Sequence, residues 1–337
     1  MSSPLLAHRV DGEGAPGRPP LLLLNGGFMS MASWEPLAAP LAERHRVVRC
    51  DLRGQLLSPG PPHRDLAANV DDVAALIDHL GIDRVDVLGT SFGGEVGLLL
   101  AARRPERVAR LVVVTASDHA TESMRQGAHE LRAVVAEVLA GGDRGRFHDA
   151  LVAAVYSPAF AEQNAGVLAA RRLQLGALPD AWFAAADGLV AAVEDFDLRP
   201  ELGAIRCPAL VVVAADDRVM PPERGRALAA AIPGARLAEH PTSGHALVAE
   251  QPAWLVEEVV GFLESLDGGT GGHGGPPLRL PPDREADAEE AEHRTGGPLQ
   301  SLEDPGPGRR GGPLQSLEDP GQGRRGGPLR PPGAGGT

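Results

Sequence analysis

A serine set between two glycines, a histidine on a late loop and a pair of aspartates are the side chains in this sequence whose types and spacing could do covalent chemistry. Ser91 sits in Gly89-Thr90-Ser91-Phe92-Gly93, after the apolar run 85–88 and before an apolar segment of helical character, 95–104. The pattern G-x-S-x-G acquires meaning in that strand-to-helix context. A serine on so tight a reversal projects its hydroxyl clear of a sheet. The residues two places to either side must then be small, because a Cβ would collide where the chain doubles back. The start of the following helix also points unpaired N–H groups at whatever the serine attacks.

A hydroxyl is too weak an acid to attack a carbonyl unaided, so it needs a base, and the base needs an orienting anion. Among the eleven histidines, His245 in Pro241-Thr-Ser-Gly-His245-Ala-Leu-Val follows a strand pattern and a glycine and precedes a helix. That places it on a loop at the sheet edge where Ser91 emerges; His240, at the end of the strand, is the second candidate. His119 belongs to the mouth region, and the other eight fall on helix faces, loops or the tail. For the anion, Leu210-Val-Val-Val-Ala-Ala-Asp216-Asp217-Arg-Val-Met-Pro221 puts two carboxylates just beyond a strand. Both cannot face one imidazole. Asp217 is the choice, with Asp216 and Asp118 as alternatives.

An oxyanion needs two N–H donors about 3 Å from the developing charge. The Phe92 amide supplies one, and Gly27, in the loop Asn25-Gly26-Gly27-Phe28, supplies the other. Asn25, Phe28, Met29 and Trp34 are the candidate pocket residues, with ordinary helix packing an equal alternative for Trp34. This chemistry requires no metal and no organic cofactor.

These groups need a frame. Strand patterns fall at 5–10, 21–24, 46–50, 85–88, 111–115, 209–214 and 235–239, and helical patterns at 34–44, 65–80, 95–104, 223–231 and 253–266. Val70, Val73, Ala74, Ile77 and Leu80 share one helix face, and Gly81 follows as a stop. Alternating strands and helices with fully apolar strands predict a parallel sheet covered on both faces. Between 116 and 202 the rhythm changes to helices alone, near 123–140, 146–155, 162–175 and 181–196. An all-helical insertion between two sheet strands reads as a cap over the edge where open α/β sheets bind ligands. The expected organisation is core 1–117, cap 118–202, core 203–267 and a tail, 268–337.

Composition bounds the alternatives. The chain has 337 residues, is 43% hydrophobic and carries a net charge of −13, of which the tail contributes −2. An acidic globular domain gives no reason to expect nucleic acid or an anionic membrane as partner. No apolar run approaches the 18 residues of a membrane span, and no leader pattern opens the chain, so a cytoplasmic protein is expected. Oligomeric state is not legible. Cys50 and Cys207 read as small buried hydrophobes. In the tail, Gly-Gly-Pro-Leu-Gln-Ser-Leu-Glu-Asp-Pro-Gly-Pro-Gly-Arg-Arg at 296–310 recurs at 311–325 with Gln322 in place of Pro307. Two leucines among so many breakers cannot bury a core, so the tail is expected to be disordered.

Together, Asn25-Gly26-Gly27, Asp51-Leu-Arg-Gly54, Gly89-Thr-Ser-Phe-Gly93, Asp217-Arg-Val-Met-Pro221 and Gly244-His245 resemble the α/β-hydrolase superfamily over residues 1–267, in the chain order Ser–Asp–His. Within it the chain looks most like the bacterial esterase, lactonase and carbon–carbon hydrolase branch that includes the 3-oxoadipate enol-lactonases. The resemblance implies a serine hydrolase acting on a small-molecule ester or lactone. Acyl transfer to an alcohol or hydroxyacid, carbon–carbon bond hydrolysis and a non-catalytic ligand-binding relative are the alternatives. Two positions depart from the family pattern: Asn25 where His is usual, and Gln55 where Arg-Gly-His-Gly-x-Ser is usual. Both alter the mouth of the pocket.

Overall fold

The computed structural model describes residues 4–267. Seven strands form one sheet: β1 (His8–Asp11), β2 (Leu21–Leu24), β3 (Val47–Cys50), β4 (Val85–Thr90), β5 (Val108–Val114), β6 (Ala209–Ala214) and β7 (Arg236–His240). Their spatial order is β1-β3-β2-β4-β5-β6-β7. Only β1 runs antiparallel, against β3; every other pairing is parallel. Core helices are α1 (Glu35–Ala42), α2 (Leu66–His79), α3 (Phe92–Arg103), α9 (Pro222–Ala231), the short α10 (Leu247–Glu250) and α11 (Pro252–Asp267).

Strand side chains alternate between two apolar layers. Leu22, Leu24, Val87, Leu111, Val113, Val211 and Val213 pack on the face covered by α2, α3 and α9. Leu21, Leu23, Leu88, Val112, Val114, Leu210 and Val212 pack on the face covered by α1 and α11. This period-two alternation, apolar on both faces, is why the central strands read as unbroken hydrophobic runs. Charged side chains interrupt three inner strands: Asp86 of β4 is fully buried and held by Arg110 of β5 at 2.8 and 2.7 Å, and Arg49 of β3 is bound by Asp11 of β1.

Five helices lie between β5 and β6: α4 (Glu122–Leu139), α5 (Gly145–Val155), α6 (Pro158–Gln163), α7 (Ala165–Gly176) and α8 (Asp180–Ala191). The chain enters and leaves this cap through paired segments. His119 bridges Asp197, Ala120 N–H donates to the Phe196 carbonyl at 2.9 Å, and Leu198 N–H to the Asp118 carbonyl at 2.7 Å. The helix expected over 162–175 is two. Ser157 caps α6 by accepting the Phe160 N–H, Pro158 opens it, and Asn164 breaks the chain between α6 and α7. The helix expected to run to 196 stops at Ala191, because residues 196–198 are pulled into the base of the cap. No helix among the described residues is long and apolar enough to cross a membrane. The tail repeats lie outside the described residues.

Candidate active site

Strand register brings the functional loops to one edge. Leu24 pairs with Gly89, Val114 with Val212 and Ala214 with His240, so the loops after β2, β4, β6 and β7 leave the sheet side by side. Ser91 has φ 50 and ψ −124, a conformation L-residues rarely adopt. The sequence pays for it with glycine. A Cβ on Gly89 would run into the Gly93 carbonyl, and one on Gly93 into the Leu24 and Asn25 carbonyls.

Ser91 Oγ lies 3.0 Å from His245 Nε2, and His245 Nδ1 lies 2.8 Å from Asp217 Oδ2. An ionised carboxylate can only accept, so Nδ1 carries the proton and Nε2 accepts from the serine hydroxyl. The other Asp217 oxygen accepts the Val219 and Met220 N–H groups at 2.9 and 2.8 Å, which fixes the carboxylate. Asp216 is exposed, and its N–H donates to the Ser243 carbonyl. Asp118 pairs with its neighbour His119 at 2.8 Å. His240, the second histidine candidate, packs its ring edge-on to Trp254. Of the alternatives weighed from sequence, the structure brings together Ser91, His245 and Asp217.

Burial alone would push the His245 imidazole down. The Asp217 charge and hydrogen bond, and then Glu95, outweigh it and hold the pKa above the ordinary histidine value.

Phe92 opens α3, where the first amides lack intrahelical acceptors. Gly27 lies in the turn closed by the Met29 N–H to the Gly26 carbonyl, 3.2 Å. Gln55 braces this turn from below: Nε2 donates to the Gly26 and Gly27 carbonyls at 2.7 and 3.3 Å, while Oε1 accepts from Leu52 N–H and Asn25 Nδ2. Gly27, Phe28, Met29 and Gln55 line a small cavity with Trp182 and Leu189 of the cap. Phe28 also packs edge-on to Phe147 at 5.3 Å.

Two residues expected on the pocket wall lie elsewhere. Trp34 is fully buried among Leu21, Leu37 and Leu41, and its indole N–H donates to Asn25 Oδ1 at 2.7 Å. Asn25 is equally buried and donates to Asp51 and Gln55. A buried indole N–H and a buried carboxamide must find partners, and here each satisfies the other beneath the loop. Asp51 completes the group by accepting the Met31 and Leu57 N–H groups. Burial raises its pKa against those bonds.

Residues 19–252 match the model of the family described as alpha/beta hydrolase fold. The chain belongs to that family. It is 32% identical over 271 residues to the protein named "Putative carbamate hydrolase RutD" of Caulobacter sp. (strain K31), covering 77% of this chain and 95% of that one. The protein of the same name from Azorhizobium caulinodans is 31% identical, covering 78% and 96%. Among solved structures, the enol-lactonase from Burkholderia xenovorans LB400 superposes with a TM-score of 0.66 at 31% identity, covering 77% of this chain and 96% of the other. A hydrolase from Pseudomonas aeruginosa PA01 gives 0.67 at 33%, covering 77% and 94%.

In this α/β hydrolase one buried acid near His245 escapes a reading of the sequence. Glu95, one turn into α3, has no exposure, and neither carboxyl oxygen has a hydrogen-bond partner. Burial pushes its pKa up to about 8, opposed by the nearby Ser117 amide and by His245. The only sequence signal is a carboxylate inside an otherwise apolar helix segment. Among the described residues, no group of three or more His, Cys, Asp or Glu could hold a metal ion.

Proposed function

We propose that this hydrolase cleaves a small carboxylic ester or lactone through a Ser91 acyl-enzyme. The observation that carries the proposal is the continuous chain of hydrogen bonds from Ser91 through His245 to Asp217, at 3.0 and 2.8 Å. Ser91 Oγ attacks the carbonyl carbon while its proton passes to His245 Nε2. Asp217 stabilises the imidazolium, and the Gly27 and Phe92 amides take the oxyanion of the tetrahedral intermediate. Collapse breaks the bond to the alkoxy oxygen, which leaves with the proton from Nε2. Water then attacks the acyl-enzyme with His245 again as base, releasing the acid and restoring Ser91. Phe28, Met29, Trp182 and Leu189 offer an apolar wall for the acyl group.

A second reading, carbamate hydrolysis, is favoured by the name shared by the relatives at 31–32% identity. A carbamate carbonyl passes through the same tetrahedral geometry, but nitrogen donation makes it a poorer electrophile. A fluorophosphonate probe tests the serine mechanism: labelling of the wild type that vanishes in Ser91→Ala supports it, and an unlabelled, inactive wild type overturns it. A substrate panel then ranks kcat/KM for p-nitrophenyl esters of increasing acyl length, simple lactones and p-nitrophenyl carbamates. Preference for the carbamates would move the assignment to the second reading. Product partitioning between water and added alcohols separates hydrolysis from acyl transfer.

A further inference from the structure

Away from the reacting atoms, a buried carboxylate joins the cap to the loop that carries the imidazole. Glu250 ends α10, five residues after His245, and is 9% exposed. Its Oε1 accepts the Ser157 N–H at 2.8 Å, and its Oε2 accepts the Ser157 hydroxyl at 2.7 Å and the Gly244 N–H at 3.2 Å. Ser157 connects α5 to α6 within the cap, and Gly244 directly precedes His245.

Two further bonds converge on the same corner. Ala246 N–H donates to the Val155 carbonyl at 2.8 Å, and the Arg218 guanidinium to the Tyr156 carbonyl at 2.7 Å. The residues before and after His245, and the residue after Asp217, are therefore referenced to three consecutive cap residues, 155–157. Gly244 permits the approach, since a Cβ there would run into the Ser157 nitrogen, the Tyr156 carbonyl carbon and Glu250 itself. The core holds the same loop by a separate tether, the Thr115 hydroxyl to the His245 carbonyl at 3.1 Å.

We infer that Glu250 is a positioning residue of the triad: by binding Ser157 and Gly244 at once, it makes the seating of the cap set the aim of His245 at Ser91. The inference rests on the serine-hydrolase reading above. Hydrogen bonds to a carboxylate are roughly twice as strong as neutral ones, so this acceptor fixes its three donors firmly. A carboxamide of the same shape cannot replace it. With its oxygen in the Oε1 place the amide turns its NH₂ on the Gly244 N–H, and with its oxygen in the Oε2 place on the Ser157 N–H; either way donor meets donor and the joint between cap and loop must shift. A misplacement of about 1 Å at a catalytic group costs on the order of a hundredfold in rate.

The test uses the full chain as wild type, Glu250→Gln, Ser157→Ala, the double variant and Ser91→Ala. Readouts are kcat and KM on p-nitrophenyl acetate, the rate of fluorophosphonate labelling, and Tm. Glu250→Gln should lower kcat about ten- to a hundredfold with KM within about threefold, and slow labelling by the same factor as kcat. Ser157→Ala, which removes one of the three donors, should lower kcat about three- to tenfold, and the double variant should be no worse than Glu250→Gln. A folded Glu250→Gln enzyme with wild-type kcat and labelling, whatever its Tm, would show a merely structural role and overturn the inference. If Glu250→Gln does not fold, Ser157→Ala decides, and unchanged kcat overturns it. A wild type that is neither labelled nor active would bring down the serine-hydrolase reading and this inference with it. A labelled wild type with unaffected variants brings down this inference alone.

Discussion

Replacing Asp217 by asparagine keeps the side-chain volume and removes the charge, and the surrounding bonds leave the new amide no good orientation. If its oxygen keeps the Val219 and Met220 N–H groups, its NH₂ faces His245 Nδ1, 2.8 Å away in the parent. The imidazole must then place its proton on Nε2, where it can no longer accept the Ser91 proton. If the amide flips, Nδ1–H regains its acceptor, but the NH₂ is turned on two backbone donors at a residue only 5% exposed. Leaving those donors unsatisfied costs about 1–3 kcal/mol each, so the flipped form is the minority. The expected loss is that of a wrong-tautomer triad, about 10⁴ in kcat or roughly 5.5 kcal/mol of barrier. The limb of kcat/KM that rises with pH also moves. In the wild type it should lie above the ordinary histidine value, because Asp217 outweighs burial at His245. Without that charge, burial dominates and the limb shifts to lower pH. Stopped-flow or steady-state kinetics from pH 5 to 9 on Asp217→Asn, Asp216→Asn and Asp118→Asn would measure both effects. Asp217→Asn activity within tenfold of wild type, with a collapse in either of the other two, would refute this assignment of the acid.

Three other outcomes follow from the same geometry. Gly93→Ala drives a methyl into the Leu24 and Asn25 carbonyls, so kcat should fall about a hundredfold through the displaced oxyanion loop, with a lower Tm; wild-type kcat would contradict the close approach. Glu95 has its folded pKa raised from 4.5 to about 8, so the folded state holds the extra proton and the stability contributed is present below pH 4.5 and lost as pH rises toward 8. That loss is of order 5 kcal/mol; Glu95→Gln should flatten the fall in Tm between pH 5 and 8, and an unchanged pH dependence would show that the carboxyl finds another partner. Arg110→Met strands the fully buried Asp86 carboxylate at the opposite end of the sheet from Ser91, so urea unfolding should show a loss of about 3–5 kcal/mol with kcat per folded molecule unchanged.

The sheet was readable because its signals are local. The runs at 21–24 and 209–214 coincide with β2 and β6 to the residue, since both are apolar throughout and bounded by residues that leave the sheet. Gly89 and Gly93 mark the turn at Ser91 for a steric reason: a Cβ at either would strike a backbone carbonyl. What could not be read depends on partners distant in sequence. Helical periodicity placed Trp34 at a helix start but could not say that its N–H is bound by Asn25. The choice between Asp216 and Asp217 turns on which carboxylate is held by the amides of the following turn, and a sequence shows only that two aspartates are adjacent. Glu250, in Ala-Leu-Val-Ala-Glu-Gln-Pro, carries no local mark of the cap corner it binds. The break at Asn164 carries no signal in the apolar pattern over 162–175, because the Ser157-Pro158 start of the preceding helix lies upstream of it.

The paired strands of chain at 118–120 and 196–198 give the insertion a narrow neck. An excursion whose ends already meet adds little closure entropy when its length changes, so the sheet should tolerate exchange of everything between them for a helical segment of another size. The graft would succeed as a protein more readily than as a catalyst. A transplanted segment would also have to present two carbonyls and a hydroxyl-bearing residue where 155–157 now stand, because those atoms are the counterpart of Ala246, Arg218 and Glu250.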